Sequence, residues 1–354
     1  MQIDFHHATT YVIARDAGFS HDDADIIAYA AQYVDDATSS GTIYFDNRAV
    51  YKRISSAHKM LDTRNTEELA NHEVWMPFHF LPGNGGLAAG QHPGNKFIDK
   101  IVCTPNSPVA QEMVRDAILE KNRDYGLHRL GVTMHVYADT WAHQGFAGVL
   151  HDVNEVEDVE ETGKSGLFSG GLASVLNDLL DDAIPPLGHG RAQIFPDMPF
   201  LQWQYENGRG EMIVRDNTKD FLEAADHMCS AMRRYIKGDP NAQATGLTKN
   251  TRDQIEKMFT TTLFKDGEER HQKWLTAIRN GVFTVCGKIN IDDYFARGSD
   301  SWKADALGTS HDLPVHQYKD HFLQSPWKLF HDAIQAHRFN VVYNILPRYG
   351  ICAA

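Results

Sequence analysis

Residues 126–146 read "GLHRLGVTMHVYADTWAHQGF", and the reading of this stretch decides the fold. Val132, Met134, Val136, Ala138, Ala142 and Phe146 give it an apolar wall rich in small side chains, against which another helix can pack closely. His135, Asp139 and His143 are each four residues apart. On an α-helix that spacing stacks them on one face. His128, seven residues before His135, is a candidate to extend the stripe. An ionised aspartate inside an apolar wall is costly without a partner. Two imidazoles alone do not repair that, but a divalent cation does. The competing reading is a buried hydrogen-bonded triad, and from the stripe alone both stay open.

Working outward, helical signals dominate. "SHDDADIIAYAAQYVDDAT" begins with Ser20 as an N-cap and acidic residues in the first turn, where they suit the helix dipole. Residues 107–146 read as two helices broken near Tyr125-Gly126, and "TKDFLEAADHMCSAMRRYIKG" ends in basic residues and Gly238, a C-terminal signature. "TRDQIEKMFTTTLF", "EERHQKWLTAIRNGVF" and "PWKLFHDAIQAHRFNVVYNIL" continue the set. Only "GTIYF" and "GEMIVRD" suggest strands, and nothing alternates as a parallel sheet requires. The expected fold is mainly α: a multi-helix bundle with long ligand-bearing loops at 75–97, 157–171 and 183–210. Long loops that carry His, Asp and Trp in such a protein point to function. Residues 1–214 are expected to form a metal-binding core, and residues 215–354 a helical region packed on the same domain.

Composition narrows the function. A net charge of −13 argues against general nucleic-acid binding, which needs clustered Lys and Arg. With 42% hydrophobic residues the chain can build a sizeable core. Cys103, Cys229, Cys286 and Cys352 are far apart and form no CxxC, as expected of reduced thiols in a cytoplasm. The N-terminus shows no basic stretch followed by an apolar one, so it reads as mature protein. No apolar run approaches the roughly 20 residues that span a bilayer.

Other segments offer donors. "FHH" places His6 and His7 at the start of the first helix, and the second helix ends in Asp35-Asp36, on or near the face of Ile27 and Ala31. "PFHF" offers His79, and "LGHGRAQIFPD" offers His189 and Asp197. The glycines around His189 leave its imidazole free to turn toward a site. Each has a plainer reading: a helix end for His6 and His7, a solvated Asp36, a packed His79. Four His-Asp dipeptides, at 21–22, 151–152, 311–312 and 331–332, keep an HD-type phosphohydrolase as an alternative. No GxSxG, Walker loop, HExxH or Rossmann fingerprint is present.

The order of these donors resembles the zinc-dependent phospholipase C superfamily, which includes single-strand-specific nucleases. Those proteins are α-helical and hold three zinc ions. Their ligands are the N-terminal residue, a His on the first helix, an Asp, a His, a helix with His-x3-Asp followed by His, and a last His and carboxylate. The resemblance implies His7, Asp35 or Asp36, His79, His135, Asp139, His143, His189 and Asp197 as metal ligands here. It spans residues 6–197. His143 follows Asp139 more closely than the superfamily places it, His189 and Asp197 are farther apart, and the N-terminal Trp is absent. The whole chain also looks like an uncharacterised bacterial family with "HxYADTxxHQGF" and "GHG…PD…W" blocks.

The resulting expectation is a metal-dependent hydrolase acting on a small-molecule or lipid phosphoester through metal-activated water. One to three cations are expected, with zinc first and Mn, Fe or Ni compatible with the same donors. Asp139 is the candidate bridging carboxylate, and Asp35 or Asp36 a ligand or general base. The rival is a non-catalytic helical metalloprotein.

Overall fold

The computed structural model describes residues 1–58, 68–163, 165–167 and 187–353. The glycine-rich end of the 157–171 loop and the start of the 183–210 loop lie largely outside the described residues.

A π-helical segment, Asp4–Thr9, runs into α1 (Thr10–Ala17). α2 (His21–Asp36) starts where expected: the Ser20 hydroxyl accepts from the Asp23 amide at 3.1 Å. A short hairpin, β1 (Gly41–Tyr44) with β2 (Val50–Arg53), precedes α3 (Glu68–Phe78), α4 (Phe97–Ile101) and α5 (Pro108–Leu119). α6 (Gly126–Ala142) carries the donor stripe. β3 (Val156–Glu161), β4 (Gln202–Asn207) and β5 (Met212–Asp216) form an antiparallel sheet in that order. Then come α7 (Asn217–Lys237), α8 (Lys249–Thr261), α9 (Gly267–Arg279), α10 (Trp302–Leu307) and α11 (Pro326–Phe339). Gly238, in the left-handed region at φ 68°, ends α7, a conformation that costs glycine little.

The mainly α expectation needs correcting. The structure is 52% helical with 10% in strands, so it is helix-rich but mixed α/β, with two small antiparallel sheets among the described residues. The three-stranded sheet escapes a helical reading for two reasons. β3 is "VEDVEE", and Glu and Asp are poor strand formers. β4 lies inside the stretch expected as the 183–210 loop, and it pairs from Gln202↔Asp216 to Glu206↔Met212 with β5, which falls in the expected "GEMIVRD" strand. Trp203 and Tyr205 point into the core while Gln202 is exposed, a half-buried strand pattern.

α6 is the axis of the molecule: α2, α5, α7 and α11 all pack against it, and all its residues but Leu127 are buried. Gly131 lets α2 approach. A Cβ there would lie 2.5 Å from the Ile27 carbonyl oxygen and 2.7 Å from the Ala30 Cβ. This contact brings the last turn of α2, with Asp35, to the middle of α6. β5 spans the 214/215 position, and α7 packs on α6 and α1, so residues before and after it share one core.

Candidate metal centre

Asp139 stands at the centre, 1% exposed. Its Oδ1 is 2.8 Å from the Met1 amino nitrogen and 3.1 Å from His6 Nε2. Its Oδ2 faces His135 Nε2 at 3.2 Å, His79 Nδ1 at 3.5 Å and His143 Nδ1 at 3.6 Å, yet has no hydrogen-bond partner among the described residues. Asp35 Oδ1 approaches His79 Nδ1 at 3.7 Å and His135 Nε2 at 3.8 Å. Asp197 reaches His143 Nε2 at 3.6 Å, His189 Nε2 at 3.7 Å and the Met1 amino nitrogen at 3.2 Å. Three donor groups result, each with its atoms within 4.8 Å of one another: His6 with Asp35 and His135; His79 with His135 and Asp139; His143 with His189 and Asp197.

Hydrogen bonds outside the cluster fix three imidazoles. His79 Nε2 lies 2.9 Å from the Ser56 carbonyl, His143 Nδ1 2.7 Å from the His79 carbonyl, and His189 Nδ1 2.9 Å from the Gln193 carbonyl. A carbonyl only accepts, so each of these nitrogens carries the proton. In a neutral imidazole the other nitrogen is then a bare acceptor. His79 Nδ1, His143 Nε2 and His189 Nε2 therefore turn lone pairs into the cluster, where His79 Nδ1 also meets His135 Nε2 at 3.3 Å and His143 Nε2 the Met1 amino nitrogen at 3.5 Å. Metal-ligating histidines are oriented in this way by an outer acceptor.

Burial keeps His6, His135 and His189 neutral. Desolvation lowers His6 and His189 to about 4 although Asp139 and Asp197 respectively oppose it, and lowers His135 well below its usual value. All three are neutral at pH 7, the ligand form. Burial alone would raise the Asp139 carboxyl, but His143, the Met1 amino group, His135 and His6 hold it well below the usual carboxylate range. Asp197 is also held low: burial opposes, and the Met1 amino group, His189 and His143 prevail. Asp35 goes the other way, pushed well above that range by burial and then by Asp139. Desolvation disfavours the charged Met1 amino group, yet Asp139, Asp197 and Asp35 raise it to about 11.

A cavity of about 180 Å³ opens beside the donors, lined by Met1, Asp35, His79, Asp139, His143, His189 and Asp197 together with Ala57, His58, Trp75 and Phe80. The carboxylate of Asp35 is one-third exposed there.

The structure thus gathers Asp35, His79, His135, Asp139, His143, His189 and Asp197. His7 and Asp36 do not join them. His7 turns away, its Nδ1 2.9 Å from His271 Nε2, and His6 takes the inward position, stacked on His135 with centroids 3.8 Å apart. His7 is expected from the order of donors in the resembled superfamily alone, and the side chains of the π-helical start do not follow an α-helical phase. Asp36 accepts instead from Tyr294 Oη at 2.7 Å and Gln32 Nε2 at 3.2 Å. Counting by fours from Ile27 through Ala31 reaches Asp35 and would have chosen between them. His128, buried against Trp302, does not extend the stripe. His6 is offered in the sequence beside His7, whereas nothing there distinguishes the Met1 amino group, whose partner Asp139 lies 138 residues away. None of the His-Asp dipeptides contributes to a donor group among the described residues; His21, for example, meets Tyr11 Oη at 2.8 Å. All four cysteines are free, three of them buried. No described helix is long and apolar enough to cross a membrane.

A family model described as "Family of unknown function (DUF6765)" matches residues 1–345. No curated protein and no solved structure matches the chain.

Proposed function

Because the chain belongs to this family, whose description carries no activity, we propose from the site itself a metal-dependent hydrolase acting on a phosphoester. One observation carries the reading. Three histidines, each with its proton committed to a carbonyl outside the cluster, turn their other nitrogens toward carboxylates of which Asp139 Oδ2 and Asp197 Oδ1 have no hydrogen-bond partner among the described residues. The Met1 amino group, 2.8 Å from Asp139 Oδ1 and 3.2 Å from Asp197 Oδ1, offsets part of this crowding of acceptors, and divalent cations would offset the rest.

The donor chemistry fits divalent metal. His and carboxylate suit zinc, and the same set admits Mn, Fe or Ni. His135 belongs to two of the three groups, so its single inward nitrogen serves one cation at a time. Asp139 presents its two oxygens to different neighbours, the arrangement of a bridging carboxylate. A divalent cation held here would acidify a coordinated water and offset charge developing on phosphorus. Asp35, with its raised carboxyl looking into the cavity, is the candidate to take and return a proton at Oδ1. The phosphoester class, whether a small molecule or a lipid, rests on the resemblance to the phospholipase C superfamily in the order of donors.

The second reading is a structural metal in a non-catalytic protein. The cavity beside the donors favours catalysis, since structural sites are closed by protein ligands. The test uses full-length protein purified without chelators and assayed on p-nitrophenyl phosphate and bis(p-nitrophenyl) phosphate. Hydrolysis that disappears on chelation and returns with zinc supports the enzyme. Bound metal with no hydrolysis of either ester favours the structural role, and a metal-free protein removes both readings.

A further inference from the structure

A second cavity, of about 640 Å³, lies past the C-terminal end of α2. It is not part of the metal centre. The Ala37 carbonyl accepts the Ser56 amide at 3.0 Å, and the Ser56 carbonyl in turn holds His79. Ala37 lines this second cavity, so that backbone stands between it and His79. The last turn of α2 serves both sides, with Asp35 toward one cavity and Asp36 toward the other.

The second cavity is built around a buried cation. Arg53 is 7% exposed, and its Nε has no hydrogen-bond partner among the described residues. Its two terminal nitrogens hold Asp312 as a fork, at 2.9 and 2.6 Å. Lys303 Nζ reaches the same carboxylate at 2.6 Å. Arg297 stands exposed at the rim and makes no ion pair among the described residues. His331 adds a buried imidazole whose Nδ1 is unpartnered. Against these cations stand two carboxylates. Asp36 is already engaged by Tyr294 and Gln32. Asp312 is half exposed and sits on the irregular segment between α10 and α11.

A guanidinium removed from water needs a counter-ion, and its planar fork matches the paired oxygens of a carboxylate or a phosphate. The only counter-ion touching Arg53 among the described residues is a solvent-accessible carboxylate on a segment without regular structure, in front of a cavity far larger than that carboxylate needs. We propose that this cavity binds a small organic anion through a phosphate or carboxylate group, and that Asp312 occupies the Arg53 fork as a displaceable internal stand-in for it. Lys303 and Arg297 supply the remaining charge. The site is independent of the metal centre and of any hydrolase activity.

The competing account is an ion pair that merely ties the 308–320 segment to β2. Asp312→Asn separates the two. The probes are inorganic phosphate and malonate, titrated calorimetrically into full-length protein as purified. Removing the internal occupant raises the fraction of open fork, so D312N is expected to bind by about tenfold or more tighter than the wild type. Arg297→Ala, at an exposed and unpaired position that leaves the fold intact, is expected to weaken binding several-fold in both backgrounds. A larger gain for phosphate than for malonate identifies a phosphorylated ligand, and the reverse a carboxylate. If D312N binds neither probe more tightly than the wild type, or if Arg297→Ala changes nothing, the proposal fails. Any phosphate taken up at the metal centre is common to all variants and cannot mimic the expected pattern.

Discussion

Asp16 and Asp139 are both buried aspartates on helices of the same core, and their surroundings are opposite in kind. Asp16 is closed by protein. Its Oδ1 accepts from the Thr248 and Thr251 hydroxyls at 2.8 and 2.6 Å, and its Oδ2 from the Thr248 amide and Arg233 at 3.0 and 3.1 Å. Asp139 keeps one oxygen without a partner while three imidazole nitrogens crowd it within 3.6 Å. Two of those rings, His79 and His143, have committed their protons to carbonyls instead. Asp16 holds α1 to the start of α8 and needs nothing more. Asp139 has one oxygen met by the Met1 amino group and the other left open among imidazoles, an opening a divalent cation would fill. Burial alone therefore does not separate a structural aspartate from a functional one; the direction of the neighbouring protons does.

The comparison can be broken from either side. Asp16→Asn removes one member of a part-buried ion pair together with its threonine hydrogen bonds, a loss expected to approach about 3 kcal/mol, the low end for fully buried pairs. Denaturant unfolding should show that loss with metal content per folded chain unchanged. Asp139→Asn should do the converse and reduce metal affinity by about a hundredfold, the upper end of what losing even an outer-shell partner causes. Competition with a chelating dye reads that change directly.

His128 sharpens the contrast, because it is buried with neither nitrogen partnered among the described residues and has no carboxylate beside it. Desolvation lowers it to about 3 from its ordinary 6.5. Between those values the unfolded chain binds a proton that the native state refuses, so stability falls as the pH drops below 6.5. At pH 5 this contributes about 2 kcal/mol of destabilisation. His128→Leu should flatten the pH 5–7 stability profile by that amount and leave metal binding alone; an unchanged slope would show that His128 takes up its proton in the folded state.

The smallest effect is expected at Gly131. A Cβ there collides with α2 backbone. Overpacking of this kind costs about 1–3 kcal/mol, offset in part by the roughly 1 kcal/mol that alanine gains over glycine in a helix. Gly131→Ala should therefore lower stability by about 1 kcal/mol and also weaken metal binding, because α2 carries Asp35. Weakened stability with metal affinity untouched would separate the α2–α6 contact from the site.

These experiments probe what the sequence did and did not display. The α6 stripe was legible because four-residue spacing on a regular helix maps directly onto one face, and His189 because its glycine neighbours set it apart. His7 is put forward by the order of donors in the superfamily the chain resembles, and the π-helical start places His6, not His7, against His135. The Met1 amino group could not be found by spacing, since its partners lie on α6 and near the end of the 183–210 loop. β5 was legible as "GEMIVRD", while β4 falls inside the expected 183–210 loop and β3 was hidden because its acidic residues conceal a strand that Val156 and Val159 anchor.

The most direct test of the central claim is elemental analysis of the wild type beside Asp139→Asn and Asp16→Asn, all purified without chelators, with metal counted per folded chain. The account predicts at least one divalent cation in the wild type, and no more than one for each of the three donor groups. It predicts the same count in Asp16→Asn and little or none in Asp139→Asn. A wild type free of metal, or an Asp139→Asn variant with full content, would show that the α6 stripe is a polar network sustained by hydrogen bonds alone.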